Sequence, residues 1–173
     1  MTNSMNNQAL VKDLEARFNL LNVDIVRDSQ IAIDIENNDV HTVLAYLKSI
    51  GWRQLSILTN VDWIEEGKYE LVYIIFNWDN PIYIQVRTKI DRENPKFRTI
   101  TPVYPGAKYY ERDVHEFFGV EFEGNPDSLK QLFLENWDDM PPLRKDFDAK
   151  AYSDRKYAKR EYTTDFSNKG GNE

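Results

Sequence analysis

Cysteine is absent from the 173 residues. That removes disulfides, thiolate zinc sites and cysteine-held iron–sulfur clusters from anything this chain builds alone. It also fits a reducing compartment. Histidine is scarce, with His41 and His115 the two present. A zinc-protease helix needs a second histidine four residues after the first, and the residue four beyond His115 is Gly119. Long apolar runs are missing. The longest, Leu71 to Phe76, falls far short of the roughly 20 residues that span a bilayer as a helix. The opening MTNSMNNQALVKDLEARF holds no apolar core of signal-peptide length. A basic excess is missing too: Asp plus Glu number 29 against 22 Lys plus Arg, a net charge of -7. Nucleic acid and anionic membrane surfaces are therefore poor partners. No GxSxG elbow and no phosphate-cradling glycine loop occurs. The chain reads as soluble and cytoplasmic, reaching any membrane through a partner.

What is present suffices for one domain. Hydrophobic residues make up 41% of the chain, enough for a real core at this length. Leu10, Val11, Leu14 and Phe18 share a face, which predicts a helix near Gln8 to Asn19. VDIVRD and QIAIDI alternate with period two and read as a strand pair turning at Asp28 and Ser29. Val40, Val43, Leu44, Leu47 and Ile50 form a second helical stripe, with Asn38 or Asp39 placed to cap it and Gly51 to end it. Three strands follow, in WRQLSILTNVDWI, KYELVYIIFNW and PIYIQVRTKI. The predicted fold class is α+β: a two-layer sandwich of order α-β-β-α-β-β-β, a mixed sheet with helices on one face. ENPKFRTITPVYPGAK reads as a crossing loop and precedes a short helix from about Gly106 to Gly119. Residues 1–147 then form a single domain. Residues 148–173 are too polar to bury a core, and read as an extended or disordered tail.

Two stretches carry the most information. The first is YYERDVHEFFGVEFEGNPD, from Tyr109 to Asp127. Tyr110, Val114, Phe117 and Phe118 suit the buried side of a helix. Glu111, Arg112, His115 and Glu116 then face elsewhere, Arg112 can pair with Glu116, and Gly119 ends the helix. Val120 and Phe122 suggest a short edge strand. Gly124 permits a turn, Asn125 can cap, and Pro126 fits the first position of a following helix. The alternatives are a free-standing enzyme with an acid–base site built from Glu111, His115 and Glu116, or an adaptor domain outside energy metabolism. Carboxylate pairs such as Glu111 with Glu116, or Asp138 with Asp139, arise by chance among so many acids. The second stretch is DDMPPLRKDF, from Asp138 to Phe147. Pro141 and Pro142 stiffen it, Leu143 and Phe147 offer apolar anchors, and Arg144 can make forked bonds to a carboxylate. It reads either as an ordinary loop or as a preorganised interface segment.

These two stretches together resemble the 30-kDa subunit of respiratory complex I, the NADH-quinone oxidoreductase. They also resemble its counterparts in membrane-bound hydrogenases and F420H2 dehydrogenase. Glu111, Arg112, Asp113, Glu116, Phe118, Gly119, Gly124, Pro126 and Asp127 match the first part of the family pattern. Pro142, Leu143, Arg144, Lys145, Asp146 and Phe147 match the second. The looser likeness runs over residues 8–147. There are departures: Asn125 replaces a histidine, Asp113 a more frequent glutamate, and His115 stands where many members carry an aromatic. The first stretch looks closer to hydrogenase-type or archaeal branches than to mitochondrial ones. The resemblance implies a cofactor-free, non-catalytic subunit in the hydrophilic arm of an oxidoreductase complex. The iron–sulfur clusters would lie in partner subunits. The chain would dock on the hydrogenase-like large subunit of 49-kDa type, contact the membrane arm indirectly, and bind no nucleic acid. The complex would move electrons toward quinone, methanophenazine or protons, couple this to ion translocation, and sit peripherally on the inner face of the cell membrane. The signature residues would then be scaffold and interface residues. Arg144 and Asp146 would fix their segment on or beside the large subunit, and the tail after Phe147 would wrap it.

Overall fold

The computed structural model describes residues 7–157. Helix α1 (Asn7–Arg17) buries Leu10 and Leu14, one turn apart. Strands β1 (Leu20–Arg27) and β2 (Gln30–Ile35) pair antiparallel around Asp28 and Ser29, as their alternation predicts. Helix α2 (Val40–Ser49) buries Val40, Val43, Leu44 and Leu47. Its expected side-chain cap is not made, because a short 3₁₀ turn over Asn37–Asp39 leads straight into the helix. Strands β3 (Gln54–Trp63), β4 (Lys68–Phe76) and β5 (Tyr83–Asp91) complete a five-stranded sheet of order β1-β2-β5-β4-β3. The β2·β5 pair is parallel and the other three are antiparallel, so the sheet is mixed.

Register decides which residues make the core. Ile31 and Ile33 lie opposite Ile84 and Val86, which in turn lie opposite Ile75 and Tyr73. All six are buried in one cluster with Leu10 and Leu14 of α1 and the α2 stripe. The opposite face carries charge. Asp34 and Arg87 are register partners there and form a forked ion pair at 2.6 and 3.1 Å.

Beyond β5 the chain departs from the expected order. Lys96–Arg98 forms strand β6 inside the stretch read as a crossing loop. Three residues are too few for a period-two signal to register. Helix α3 (Ala107–Phe118) then crosses over to β7 (Glu121–Glu123), which pairs parallel with β6 in a separate two-stranded sheet. No helix follows Pro126: residues 124–147 run through turns and bends. The segment expected to be an extended tail opens instead with helix α4 (Ala149–Lys156), where the Asp148 side chain caps Ala151 N–H. The remainder of that tail, residues 158–173, lies outside the described residues.

Truncating the centre of this packing carries a defined cost. Ile33→Ala should lower unfolding free energy by about 2–5 kcal/mol in a urea titration. Leu21→Ala, at a side chain 57% exposed, should change it by less than about 0.5 kcal/mol.

Candidate functional site

The buried stripe of α3 is Ala107, Glu111, Val114 and Phe118, at i, i+4, i+7 and i+11. This corrects the expected face: Tyr110 and Phe117 are half-buried at its flank, and a carboxylate sits in the middle of the core stripe. Glu111 is fully buried and is met by donors. It accepts from Thr99 Oγ1 at 2.7 Å, Ile100 N–H at 2.8 Å and Asn125 Nδ2 at 2.8 Å. Burial pushes its carboxyl above the ordinary glutamate range, and these donors offset part of that rise. One side chain thereby joins α3, the end of β6 and the turn after β7. Asn125 serves it twice over. Its amide donates to Glu111 while its Oδ1 accepts Asp127 N–H at 3.0 Å.

Glu116 is the second carboxylate that does not face solvent; it is 9% exposed. Three successive backbone N–H groups converge on it. Leu132 and Leu134 reach Oε1 at 3.1 and 2.7 Å, and Phe133 reaches Oε2 at 2.9 Å. This is an anion nest filled by the chain's own side chain. Arg112 does not pair with Glu116. It donates instead to the carbonyls of Lys130 and Gln131, at 3.1 and 2.5 Å, so opposite charges on α3 hold neighbouring parts of one loop. His115 donates from Nδ1 to Val120 O at 2.9 Å. Asp113 is half-buried, and burial, then the nearby Glu116, raises its carboxyl. Asp127 is held by Lys130.

Two glycines are required by geometry. Gly119 has φ 84° and Gly124 φ 91°, and a Cβ on them would meet Pro141 Cγ at 3.2 Å and Thr99 Cγ2 at 3.0 Å. The close approach at Gly119 lets the proline segment lie on the end of α3. Leu143 N–H then bonds Phe117 O at 3.0 Å.

The second motif closes on its own chain. Arg144 forks onto Asp146 at 3.0 and 2.9 Å. Asp146 also accepts from Arg92 at 2.8 Å. Arg92 forks onto Asp62 at 2.7 and 3.0 Å, and Asp62 accepts Lys145 N–H at 2.9 Å. The result is a continuous run of charge, Arg144–Asp146–Arg92–Asp62, from the loop to the sheet. Phe147 packs against Trp137 and Tyr152, with ring centroids 5.6 and 5.8 Å away. Trp137 stacks on Tyr152 at 4.5 Å, which clamps α4 to the loop. The sequence motifs do not single out Asp62 and Arg92. A trace of Asp62 is there all the same: it occupies an inward position of β3, in the run Leu58, Asn60, Asp62, where alternation calls for an apolar residue.

Glu111, His115 and Glu116 do not converge. One lies in the core, one points to a loop nest, and one bonds a backbone carbonyl. Neither of two surface grooves, lined by Asp34, Trp63 and Arg87 or by Asn38, His41 and Arg98, includes any of the three. Among the described residues no group of three or more His, Asp or Glu is arranged to hold a metal, and no helix is long and apolar enough to cross a membrane. What the site does present is an apolar rim. Leu129, Phe133 and Leu143 are 64%, 66% and 55% exposed, with Met140 and Tyr109 also open. Phe133 lies 6.4 Å from the ring of Phe117, whose carbonyl also takes Leu143 N–H, so these two side chains flank one point on α3.

Residues 33–153 match the family described as respiratory-chain NADH dehydrogenase, 30 Kd subunit. The mitochondrial NADH-ubiquinone oxidoreductase 30.4 kDa subunit of Neurospora crassa is 36% identical over 119 residues, 68% of this chain and 41% of that protein. The chain thus spans less than half of that relative's length. A subunit of the F(420)H(2) dehydrogenase of Methanosarcina mazei is 32% identical over 118 residues, 66% of this chain and 73% of that protein. Among solved structures, a chain of the membrane-bound sulfane sulfur reductase, an archaeal respiratory membrane complex, superposes with a TM-score of 0.79. It is 32% identical, and the match covers 92% of this chain and 96% of that one.

Two outcomes test the geometry. Glu116→Ala leaves the nest empty; it should cost about 2 kcal/mol and remove hydrogen-exchange protection from the amides of Leu132 to Leu134. The second concerns acid. Burial alone would raise the Asp62 carboxyl, but the Arg92 fork and Lys145 N–H outweigh it and hold it below the ordinary value. Arg144, then Arg92, holds Asp146 well below. Carboxyls depressed in the folded state contribute stability above their unfolded value, near pH 4, and lose it as pH falls further. The urea midpoint should therefore drop below about pH 4, and more shallowly in an Asp62→Asn, Asp146→Asn double variant than in the native chain.

Proposed function

This chain belongs to the respiratory-chain NADH dehydrogenase 30 Kd subunit family, and from that premise we propose that it is a cofactor-free scaffold subunit in the hydrophilic arm of a complex I-like membrane-bound oxidoreductase. It docks on a hydrogenase-like large subunit of the 49-kDa type, beside the subunits that carry the iron–sulfur clusters. The assembly couples electron transfer to ion translocation, and this chain lies peripherally on the cytoplasmic face of the membrane. Residues 1–147 act as one α+β unit. Residues 148–173 lie along the partner, starting from the clamped helix α4.

The observation that carries this reading is the contrast within one loop. Its anchoring groups are satisfied inside the chain: Glu116 by three amides, Arg112 by two carbonyls, Asp146 by two arginines. Its apolar side chains Leu129, Phe133 and Leu143 point out. A loop held this firmly, with its large apolar groups in water, is a surface preorganised for another protein. The signature residues then divide by role. Glu111, Glu116, Arg144 and Asp146 shape the surface, and Leu143 touches the partner. The absence of cysteine supports the assignment of the clusters to other subunits.

Phe133→Asp combined with Leu143→Asp should reduce recovery of this chain with a hydrogenase-like large subunit about tenfold or more. The thermal midpoint of the isolated chain should stay within about 2 °C, since both side chains are already exposed. A double variant that co-purifies at the native level would remove the docking surface. A native chain found only as a monomer in gently prepared extract, with no membrane-associated pool, would remove the scaffold reading itself.

A further inference from the structure

Beneath α3 lies a group of polar atoms whose hydrogen bonds do not close among the described residues. The β3·β4 register sets Leu58 opposite Tyr73 and Asn60 opposite Leu71. Asn60 and Tyr73 are therefore diagonal neighbours on the inward face of the sheet, within reach of one another's side chains. Glu111 belongs to the buried stripe of α3, the helix packed on β3, and its charge acts on the Tyr73 hydroxyl. Tyr73 and Glu111 are fully buried and Asn60 is 5% exposed. The Tyr73 hydroxyl, Asn60 Nδ2 and Asn60 Oδ1 are all sealed from solvent, and none has a hydrogen-bond partner among the described residues. Interiors rarely leave such groups open.

Counting donors and acceptors identifies what closes them. An ionised carboxylate offers about four acceptor sites. Glu111 receives three donors, from Thr99 Oγ1, Ile100 N and Asn125 Nδ2. One acceptor site remains on it. The Tyr73 hydroxyl has a hydrogen to give: burial, then the Glu111 carboxylate, keeps it protonated far above neutral pH. Asn60 adds an amide with two hydrogens and one carbonyl oxygen. The open set holds both donors, from the hydroxyl and the amide, and acceptors, on the carbonyl and the carboxylate. A metal ion accepts no hydrogen bond, so it leaves those donors unanswered. Water can accept from the hydroxyl and the amide and donate to the carboxylate and the carbonyl.

We propose that Asn60, Tyr73 and Glu111 form an internal hydration site beneath the signature helix, holding about one or two water molecules. The water completes the shell of the buried carboxylate and ties α3 to β3 and β4 through polar bonds that the protein atoms alone do not make. Glu111 is thereby a hydrated anion inside the core, and its partners come from α3's own side of the sheet and from the loop after β7.

The test is water-to-protein cross-relaxation in the full chain labelled with ¹⁵N. Cross-peaks from long-lived water to the Asn60 side-chain amide are expected, together with a solvent peak at hydrogen-bond distance from Tyr73 Oη in a high-resolution crystal structure. An Asn60→Leu, Tyr73→Phe variant should lose both signals while the amide spectrum outside the site stays in place. If that variant does not fold, the native measurements still decide. A native chain with no water contact at either group, or with Tyr73 donating directly to Glu111 and the Asn60 amide open to bulk solvent, would overturn the proposal. So would a crystal peak ringed by short oxygen contacts of a metal.

Discussion

A carboxylate taken into an apolar interior must find donors or lose its charge, and α3 carries two acids under that obligation. Glu111 meets it with Thr99, Ile100 and Asn125; Glu116 meets it with the amides of Leu132, Phe133 and Leu134. Because the donors lie on different segments, satisfying the charge fixes where those segments run. The helix acts as a frame from which the irregular half of the chain is hung. Residues 124–147 have no sheet or helix of their own to hold them. They are ordered all the same, because each turn ends on a charged group or a carbonyl that needs it.

The same obligation commits the acids of this stretch to holding backbone and side chains in place. A general base needs a free lone pair facing a substrate. Glu111 and Glu116 have theirs directed at backbone and side-chain donors, and His115 is committed to Val120 O. Polarity here serves shape. The shape ends in an outward row of leucine and phenylalanine side chains, the chemistry that one protein offers another. Such a rim is what the docking role proposed above calls for, in a family with relatives in respiratory complexes.

Period-two and 3.6-residue patterns recovered α1, β1 to β5 and α2, because those elements are long and half-buried. β6, three residues long, left no periodic signal. The helical extent of α3 was legible from its bounding glycines, but its inward face was not. Hydropathy places Tyr110 and Phe117 inside and Glu111 outside, whereas burial of Glu111 depends on donors from Thr99 and Asn125, twelve and fourteen residues away. Likewise Arg144 reads as a guanidinium offered to a partner, whereas it forks onto Asp146 two residues on, and the sheet adds Arg92 and Asp62 to that pair. The motifs were visible as motifs. Which of their charges face inward is a property of the tertiary structure, and the cue nearest to it was an acid at an inward position of β3.

The run Arg144–Asp146–Arg92–Asp62 also sets an order of events. Asp62 ends up beside Arg92 only when β3, β4 and β5 have paired, since the two sit on different strands' ends. Asp146, more than fifty positions further along the chain, has its local fork with Arg144 throughout, but it gains Arg92 only when Arg92 is held at the end of the paired sheet. The run is therefore complete only where the paired sheet and the outward loop meet. Under the docking role proposed above, a chain whose sheet has not paired would lack the contour for a partner, so recognition by shape would double as a proofreading step on folding.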